Sequence, residues 1–437
     1  MDINDIKLNL IQAIDKNRDE IIKIGEEILK RPEIGYREEN TSQIVRNKFS
    51  ELEIAFTYPH AVTGVKGKIK GKSDGVNVCV LGELDAVKCK GHSFADDSGA
   101  AHACGHNVQI ASMLGVAQAI KASGMMNELD GSVTFFAVPA EEFLDMDYRK
   151  SLRDSGIIKY FGGKQQIIYE GGFDDVDMSI MFHAQPSEPY AAVYAKGHNL
   201  GFLAKTVIFK GRATHGSKPF DGINALNAAA IAIIGIHSNR ETFREEDKIR
   251  IHPIITKGGD AVNSVPDEVC VDMYIRGASL EAVYRGNKAV DRTVRGAAEI
   301  IGAEVEIEDI PGYLPICECE GLSDILEENA KMFVGSNIKY GNEIVGSTDL
   351  GDLSHLMPVI QPSVGGFQGE LHSKQMEVCD KESAYILSTK ILACTVADLL
   401  YNGCEKAKKI KDEFNPKLTK EEYIKYLNNE RLEYYVD

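Results

Sequence analysis

A cysteine and a histidine stand one residue apart, as Cys104 and His106, in the segment Ala-His-Ala-Cys-Gly-His-Asn. A thiolate and an imidazole are ligands that zinc and similar first-row divalent ions accept. The glycine between them allows a tight turn, which can direct both side chains to one point. The segment therefore predicts that Cys104 and His106 are metal ligands. His102, in the same segment, is predicted to lie behind the ligands and support them.

Two adjacent carboxylates, Glu141 and Glu142, follow an apolar run that is typical of a buried strand. Adjacent side chains point in divergent directions, so one carboxylate can bind a metal ion while the other reaches a water molecule on that ion. A carboxylate in the second position is a suitable general base. The pair therefore favours metal-assisted hydrolysis, and the alternative is a charged strand end that faces water.

Three further side chains are candidates for the same site. His183 follows another strand-like run and is predicted to be a ligand. Asp85 also follows a strand-like run and is predicted to accept the second ring N–H of a ligand histidine. His372 lies in a glycine-rich loop and could complete the coordination shell. Its competitor is His355, which has helical surroundings and is predicted to lie at the surface.

Strands that alternate with helices must position these residues. Strands are predicted at 76–81, 133–138 and 178–182, and a helix at 108–120 with Asn107 as its N-cap. This order predicts the α/β class, with a doubly wound and mostly parallel sheet. In such sheets ligands gather beyond the carboxyl ends of the strands, and the candidate carboxylates and His183 fall there.

The pattern changes near Ala195. Strands and helices then follow in the order βαββαβ as far as residue 307, which is the ferredoxin-like pattern. The α/β pattern resumes near Tyr313. We therefore predict an inserted lid and dimerisation domain at residues 196–311, between two parts of a catalytic domain at 1–195 and 312–437.

Composition excludes several classes of function. The chain has 437 residues, 43% hydrophobic and 26% charged, which is typical of a soluble globular protein with more than one core. Its net charge of -17 argues against nucleic acid and anionic membranes as partners. The longest apolar run, 227–236, is shorter than the roughly 20 residues that span a bilayer. Nine cysteines without a disulfide pattern, and an N-terminus unlike a secretory signal, predict a cytoplasmic location.

Together these motifs resemble the di-metal aminoacylase and carboxypeptidase G superfamily of metallopeptidases. They are most similar to its amidohydrolase branch, which contains hippurate, auxin-conjugate and p-aminobenzoyl-glutamate hydrolases. The resemblance also includes the segments 31–39, 211–215, 258–266 and 347–352. It implies an α/β catalytic domain that binds two divalent ions (zinc, manganese or nickel) and a lid domain through which a homodimer forms.

The resemblance also implies roles for individual residues. By match to the family pattern, the metal ligands would be Cys104, His106, Glu142, His183 and His372. Glu141 would be the general base. His215 would stabilise the oxyanion, either in its own subunit or from the lid of the partner. Asn263 and Arg276 would bind the substrate carboxylate.

The predicted activity is hydrolysis of the amide bond in an N-acyl or N-aroyl amino acid, such as p-aminobenzoyl-glutamate, by a metal-activated water. Two alternatives remain. One is a metallo-dipeptidase or carboxypeptidase that acts on short peptides with the same fold and metals. The other is a non-catalytic protein that binds an amino-acid derivative, and retention of the ligand set together with Glu141 argues against it.

Overall fold

The structure is a computed structural model that describes residues 1–186, 192–344 and 346–429. Its contacts divide the chain into two compact units. The first unit consists of Met1–Gly197, Cys317–Glu343 and Asp352–Lys417. The second unit consists of His198–Ile316, Ile344–Gly351 and the residues from Leu418 onward.

Helices and strands alternate through much of the chain. The α-helices are α1 (Ile3–Lys16), α2 (Arg18–Leu29), α3 (Glu39–Glu51), α4 (His106–Ser123), α5 (Met146–Asp154), α6 (Gly163–Glu170), α7 (Ala225–Ser238), α8 (Leu280–Ile301), α9 (Glu320–Val334), α10 (Leu350–Ser354), α11 (Ser388–Glu413) and α12 (Lys420–Leu427). The strands are β1 (Ala55–His60), β2 (Gly64–Lys70), β3 (Asn77–Glu83), β4 (Val87–Lys88), β5 (Ala100–Ala101), β6 (Ser132–Val138), β7 (Met178–Ile180), β8 (His183–Pro186), β9 (Val193–Asn199), β10 (Gly201–Lys210), β11 (Arg250–Lys257), β12 (Glu268–Gly277), β13 (Glu304–Pro311), β14 (Ile338–Ile344), β15 (Val359–Ile360), β16 (Ser363–Gln368) and β17 (Glu377–Val378).

The main sheet of the first unit has the strand order β1-β2-β6-β3-β7-β15. Strands β6, β3, β7 and β15 are parallel, and two antiparallel pairings, β2 with β6 and β1 with β2, extend the sheet. Every residue of β3 and β6 is buried, as expected for apolar strands that are covered on both faces. The predicted mostly parallel α/β sheet is therefore confirmed, and the carboxyl ends of β3, β6 and β7 meet at one edge.

A smaller sheet of the same unit contains β14, β9, β16 and β17, and β8 pairs in parallel with β16. His183 is the first residue of β8 and lies opposite Ser363 of β16. The chain leaves β16 at Gln368 and reaches His372 four residues later. This sheet therefore positions two of the histidines that the sequence predicts as ligands.

The second unit contains an antiparallel sheet with the order β11-β12-β10-β13. Helices α7 and α8 cover one face of this sheet. Residues on that face form one apolar core, which includes Val207, Val271, Ile275, Ala229 and Val290. The order of the elements is βαββαβ, so the predicted ferredoxin-like domain is confirmed.

The borders of the units differ from the predicted domain borders. The sequence assigns all of 312–437 to the catalytic domain, yet residues 344–351 and 418–429 pack with the second unit. The helix α12 contacts β13, and Nδ2 of Asn429 donates to the carbonyl oxygen of Asp309 at 2.7 Å. Such packing joins segments that are far apart in the chain, so a pattern read along the sequence does not show it.

One helical stretch, Glu382–Glu413, is long and apolar enough to cross a membrane by length and composition. Its most apolar window has a mean hydropathy of 1.4, and 94% of that window is buried inside the protein. The stretch starts as a π-helix and continues as α11, which packs against α4 and α9. Burial in the core of the first unit accounts for its composition.

The helix α4 begins at His106, and Gly105 precedes it as the cap residue. Asn107, predicted to be the N-cap, is instead buried inside the first turn. Its Nδ2 donates to the carbonyl oxygen of Gly25 and to the hydroxyl of Tyr385, both at 3.1 Å. The prediction was wrong because Gly105 adopts the left-handed backbone that starts the helix two residues earlier.

We expect Gly105→Ala to lower the free energy of unfolding by about 2–5 kcal/mol, from left-handed strain of about 1–2 and overpacking of about 1–3. Gly105 has φ 83°, and an added Cβ would lie 2.5 Å from Cβ of Ala184. Gly156→Ala is the control, because Gly156 has φ 75° and open space around an added Cβ. Urea unfolding followed by circular dichroism measures both. Equal losses would contradict close packing at Gly105.

Candidate metal centre

Among the described residues, three groups of potential ligand atoms lie in the first unit, and two of them share Cys104. In one group, single atoms of Cys104, His106 and His183 all lie within 4.8 Å of one another. In the other group, atoms of Cys104, Glu142 and His372 meet the same limit. The structure thus brings together all five side chains that the sequence predicts as ligands, and Cys104 belongs to both groups.

The sulfur of Cys104 is central to these contacts. Its Sγ lies 3.6 Å from Nε2 of His183 and 3.4 Å from Nε2 of His372. The same His372 nitrogen lies 3.2 Å from Oε1 of Glu142. The buried sulfur of Cys104, two imidazole nitrogens and a carboxylate oxygen therefore lie close together.

Hydrogen bonds orient two of the imidazoles. Nδ1 of His106 donates to the main-chain carbonyl oxygen of Asp85 at 2.8 Å, and Nδ1 of His183 donates to that of Ala184 at 2.9 Å. Each bond places the ring proton on Nδ1 and leaves the lone pair of Nε2 directed towards the cluster. This is the tautomer that a histidine needs in order to bind a metal ion through Nε2.

Two buried atoms of the cluster, Nε2 of His106 and Oε1 of Glu142, form no hydrogen bond of good geometry with the described residues. Each has only a charged neighbour, since Oε2 of Glu83 lies 3.1 Å from the first atom and Nε2 of His372 lies 3.2 Å from the second. A buried polar atom without a partner costs free energy, and a metal ion is one group that can satisfy it. With a thiolate, imidazoles and a carboxylate as neighbours, these atoms fit a first-row divalent ion.

Asp85 supports two of the candidate ligands. The predicted bond from a ligand histidine to its carboxylate differs in detail, because His106 donates to the main-chain carbonyl and Oδ1 is 3.3 Å from the same nitrogen. Oδ2 of Asp85 accepts the main-chain N–H of Glu142 at 2.9 Å. Asp85 therefore fixes the segment that carries Glu142 as well as the ring of His106.

Negative charge dominates the electrostatics of the cluster. Burial and the Glu142 carboxylate both oppose ionisation of Cys104, but His183 and His106 lower the pKa of the thiol to about 6. Hydrogen bonds to Cys104 and Glu142 raise the pKa of His372 to about 11. The negative charges of the Cys104 thiolate and the Glu142 carboxylate thus favour the protonated form of the His372 imidazole. The same electrostatic field attracts a divalent cation.

Glu141 and Glu142 diverge, as the sequence predicts for adjacent side chains. Ala140 precedes them with a left-handed φ of 55°. An oxygen of Glu141 lies with atoms of Glu83 and His106 in a third group within 4.8 Å, whereas Glu142 faces Cys104 and His372. Glu141 therefore lies outside both groups that contain Cys104, whereas Glu142 is part of one.

A buried arginine holds the segment that carries both glutamates. Arg149, on α5, is 1% exposed. Its Nη1 donates to the carbonyl oxygens of Phe161 at 2.6 Å and Ala140 at 3.3 Å, and its Nη2 donates to that of Glu142. The sequence offers no signal for this contact, because Arg149 resembles any charged residue of a short helix.

Sequence reasoning also missed Glu83, which is fully buried at the end of β3. Its Oε1 accepts from Nζ of the buried Lys164 at 2.6 Å, and its Oε2 accepts from Nε2 of Gln109 at 3.0 Å. Burial opposes its ionisation, but Lys164 and His106 lower the pKa of Glu83 to about 2. The sequence does carry a signal for Glu83, because Glu83 and Asp85 are two residues apart at a strand end and their side chains can point to the same face of the sheet.

Two other histidines differ from prediction. His355, predicted at the surface, is 5% exposed, and its Nε2 lies 3.7 Å from Sγ of Cys317. It follows the short helix α10, whose packing buries it, and it belongs to neither ligand group. His102 is buried as well, but its ring nitrogens make no hydrogen bond within the described part of the chain, so the predicted support of a ligand is not observed.

The remaining predicted residues lie in the second unit. His215 and Ser264 form an isolated β-bridge, and the next residue, Gly216, donates its N–H to the Asn263 carbonyl oxygen at 2.7 Å. His215 and Asn263 therefore lie on neighbouring segments. Arg276 lies on β12, and its Nη1 donates to Oγ of Ser347 at 2.6 Å. The roles assigned to these residues stay predictions.

Curated relatives extend over most of the chain. The human Xaa-Arg dipeptidase is 26% identical, over 96% of this chain and 94% of its own length. The N-acetylcysteine deacetylase of Bacillus subtilis strain 168 is 25% identical, over 69% of this chain and 76% of its own length.

Solved structures share the fold. A dinuclear metal-binding peptidase of the M20 family from Bacillus subtilis superposes with a TM-score of 0.70 at 22% identity, over 88% of this chain and 99% of that one. An aminobenzoyl-glutamate utilization protein from Klebsiella pneumoniae gives 0.65 at 18% identity, over 90% and 99%. The model of peptidase family M20/M25/M40 matches residues 79–398. Since this match spans well over half of the chain, the protein belongs to that family and is a metal-dependent amidohydrolase or peptidase.

Proposed function

We propose that the protein hydrolyses the amide bond of an N-acyl or N-aroyl amino acid with the help of two divalent ions. The observation that carries this proposal is the pair of ligand groups that share Cys104, with Glu141 beside them. The name of the Bacillus deacetylase refers to an N-acyl amino acid, and that of the Klebsiella protein to an N-aroyl one. Both names support this substrate class.

The two ligand groups would each hold one ion. Cys104, His106 and His183 form the first position, and Cys104, Glu142 and His372 form the second. The likeness to a dinuclear metal-binding peptidase supports two positions. Thiolate and imidazole ligands suit zinc, manganese and nickel, and we propose one of these three. When bound, such a pair of ions activates a water molecule and polarises the scissile carbonyl.

The chain supplies the proton transfer itself. Glu141 would accept the proton of the attacking water and return it to the leaving amine. Arg149 would keep the Glu141-Glu142 segment in place through the carbonyl oxygens of Ala140 and Glu142. Because Glu141 belongs to neither group that contains Cys104, while Glu142 belongs to one, the carboxylate of Glu141 would be available as a base.

Residues of the second unit would bind the substrate. His215 would donate to the oxyanion that develops on the scissile carbonyl, from its own or the partner subunit. Asn263 and Arg276 would bind the substrate carboxylate, for which a guanidinium fork is well matched because it can reach both oxygens. The proximity of His215 and Asn263 supports a common role.

A second candidate is a dipeptidase or carboxypeptidase with the same metals. The relationship to the human Xaa-Arg dipeptidase favours it, and the same residues would cleave a peptide bond. A comparison of N-benzoyl amino acids with free dipeptides, as substrates of the metal-loaded protein, separates the two functions.

In that comparison we expect N-benzoyl amino acids to be hydrolysed with the higher kcat/KM. Removal of ions with a chelator should abolish activity, and zinc, manganese or nickel should restore it at about two ions per chain. Mass spectrometry of metals after gel filtration gives the stoichiometry. Activity that survives complete chelation would contradict the proposal, and preference for dipeptides would establish the second candidate.

The two adjacent glutamates should respond differently to substitution. Glu141→Gln should retain both ions and lower kcat by about 10²–10⁴-fold, because a general acid–base contributes that much. Glu142→Gln should reduce ion occupancy first, since Glu142 belongs to a ligand group. Measurements of bound metal and kcat on the two variants form a matched pair. Loss of metal in Glu141→Gln would show that the assignment is wrong.

We also propose a cytoplasmic homodimer that forms through the second unit. The strand β11 is at the edge of its sheet, where Ile254 and Ile255 are 50% and 42% exposed. Ile234 on α7 is 66% exposed. An open strand edge with apolar side chains can pair with its copy about a two-fold axis. The described cysteines are free thiols, which supports a reducing compartment.

Light scattering during gel filtration should give twice the mass of one chain. The double variant Ile234→Glu with Ile254→Glu should shift the protein towards the monomer, because charges would be buried in the interface. Ile300→Glu is the control, since Ile300 is also exposed but lies on α8. A monomeric wild-type protein, or equal shifts in both variants, would contradict an interface at β11 and α7.

A further inference from the structure

On the face of the lid sheet that α7 and α8 do not cover, two arginines stand directly opposite each other. Arg250 of β11 and Arg276 of β12 are register partners, so they project to the same face. The next pair on that face, two residues along, is His252 and Tyr274. Directly opposed side chains have Cβ atoms about 4.5–5.5 Å apart, and like charges in such a pair destabilise a sheet.

A cavity of about 500 Å³ in the second unit contains this pair. It is lined by Arg240, Arg250, Arg276, His237, His252 and Tyr274, together with apolar residues. The lining includes no aspartate or glutamate. Since the whole chain carries a net charge of -17, a cavity lined by three arginines and no carboxylate differs in the sign of its charge from the protein as a whole. Its chemistry is that of an anion site.

The side chain of Arg276 is held in place within this cavity. Its guanidinium carbon lies 5.5 Å from the centre of the Phe202 ring and 5.5 Å from that of Tyr274. Its Nη1 donates to Oγ of Ser347. No carboxylate of the described residues lies within ion-pair distance of Arg240, Arg250 or Arg276. A fixed guanidinium without an anionic partner is ready to bind one from a ligand.

We propose that Arg250, with His252 beside it, forms a second carboxylate subsite next to Arg276 and selects substrates whose amino acid is glutamate or aspartate. This inference rests on the proposed function, in which Arg276 binds the α-carboxylate. The side-chain carboxylate of an acidic amino acid then neutralises the opposed charge on Arg250. A cationic side chain, such as that of arginine, would face three guanidinium groups and is rejected.

Kinetics with a matched set of substrates tests the subsite. N-benzoyl-glutamate, its neutral isostere N-benzoyl-glutamine and N-benzoyl-arginine are compared with the full-length, metal-loaded protein. The wild-type protein should prefer the glutamate compound over the glutamine compound by tenfold or more in kcat/KM, and the arginine compound should be the poorest. In Arg250→Gln, the ratio of glutamate to glutamine should fall to within threefold of one, mainly through KM.

Arg244→Gln is the control for the charge of the domain. Arg244 is 74% exposed and does not line the cavity, so its loss should leave the substrate preference unchanged. A glutamate-to-glutamine ratio that stays the same in Arg250→Gln, or a wild-type preference for arginine, would overturn the proposal. So would an equal drop of the ratio in Arg244→Gln, because general electrostatics would then explain it.

Calorimetry separates this proposal from the proposed function. N-acetyl-glutamate should bind the wild-type protein more tightly than N-acetyl-glutamine does, and this difference should vanish in Arg250→Gln. If the wild-type protein hydrolyses no N-benzoyl amino acid, the proposed function fails, while the binding difference still decides whether the subsite exists. Equal binding of both compounds to the wild-type protein would overturn the subsite.

Discussion

The sharp turn at Gly105 is the constraint on which the candidate metal centre depends. Its left-handed backbone places Cys104 before the turn and His106 in the first turn of α4. A Cβ added to Gly105 would lie 2.5 Å from Cβ of Ala184, so this turn packs against the residue that follows His183, whose Nε2 lies 3.6 Å from the same sulfur. The turn at Gly105 therefore packs the start of α4 against the strand β8, and a larger residue at this position would be strained.

The parallel sheet, rather than this turn, positions the carboxylates at the centre. Strands β3 and β6 end side by side, so Asp85 and Glu142 follow them at the same edge. Charged groups that do not face the centre keep this edge in order, because Arg149 holds the main chain of the glutamate segment and Lys164 neutralises Glu83. The ligands are therefore surrounded by buried charges that are either paired, as Lys164 is with Glu83, or hydrogen-bonded to main-chain carbonyl oxygens, as Arg149 is.

The amino-acid sequence indicates this centre only in part, and the division has physical reasons. Strands β3 and β6 are uninterrupted apolar runs, and polar residues at strand ends are visible in any sequence, so the sheet and the candidate ligands were predictable. Lys164 and Arg149 were not, because a lysine or arginine in a short helix looks solvent-exposed until tertiary packing buries it. For the same reason His355, after a short helix, was wrongly expected at the surface. The packing of residues 344–351 and 418–429 with the second unit was not predictable either, because it depends on contacts between segments that are distant in the chain.

The shared position of Cys104 has a thermodynamic consequence. One sulfur contributes to two ligand groups, so any two ions held there have linked binding free energies. Each ion, when bound, would alter the charge that the sulfur presents to the other, and by reciprocity the coupling would have the same magnitude in both directions. A centre built in this way fills and empties as a pair more readily than two separate sites would, if the coupling is favourable.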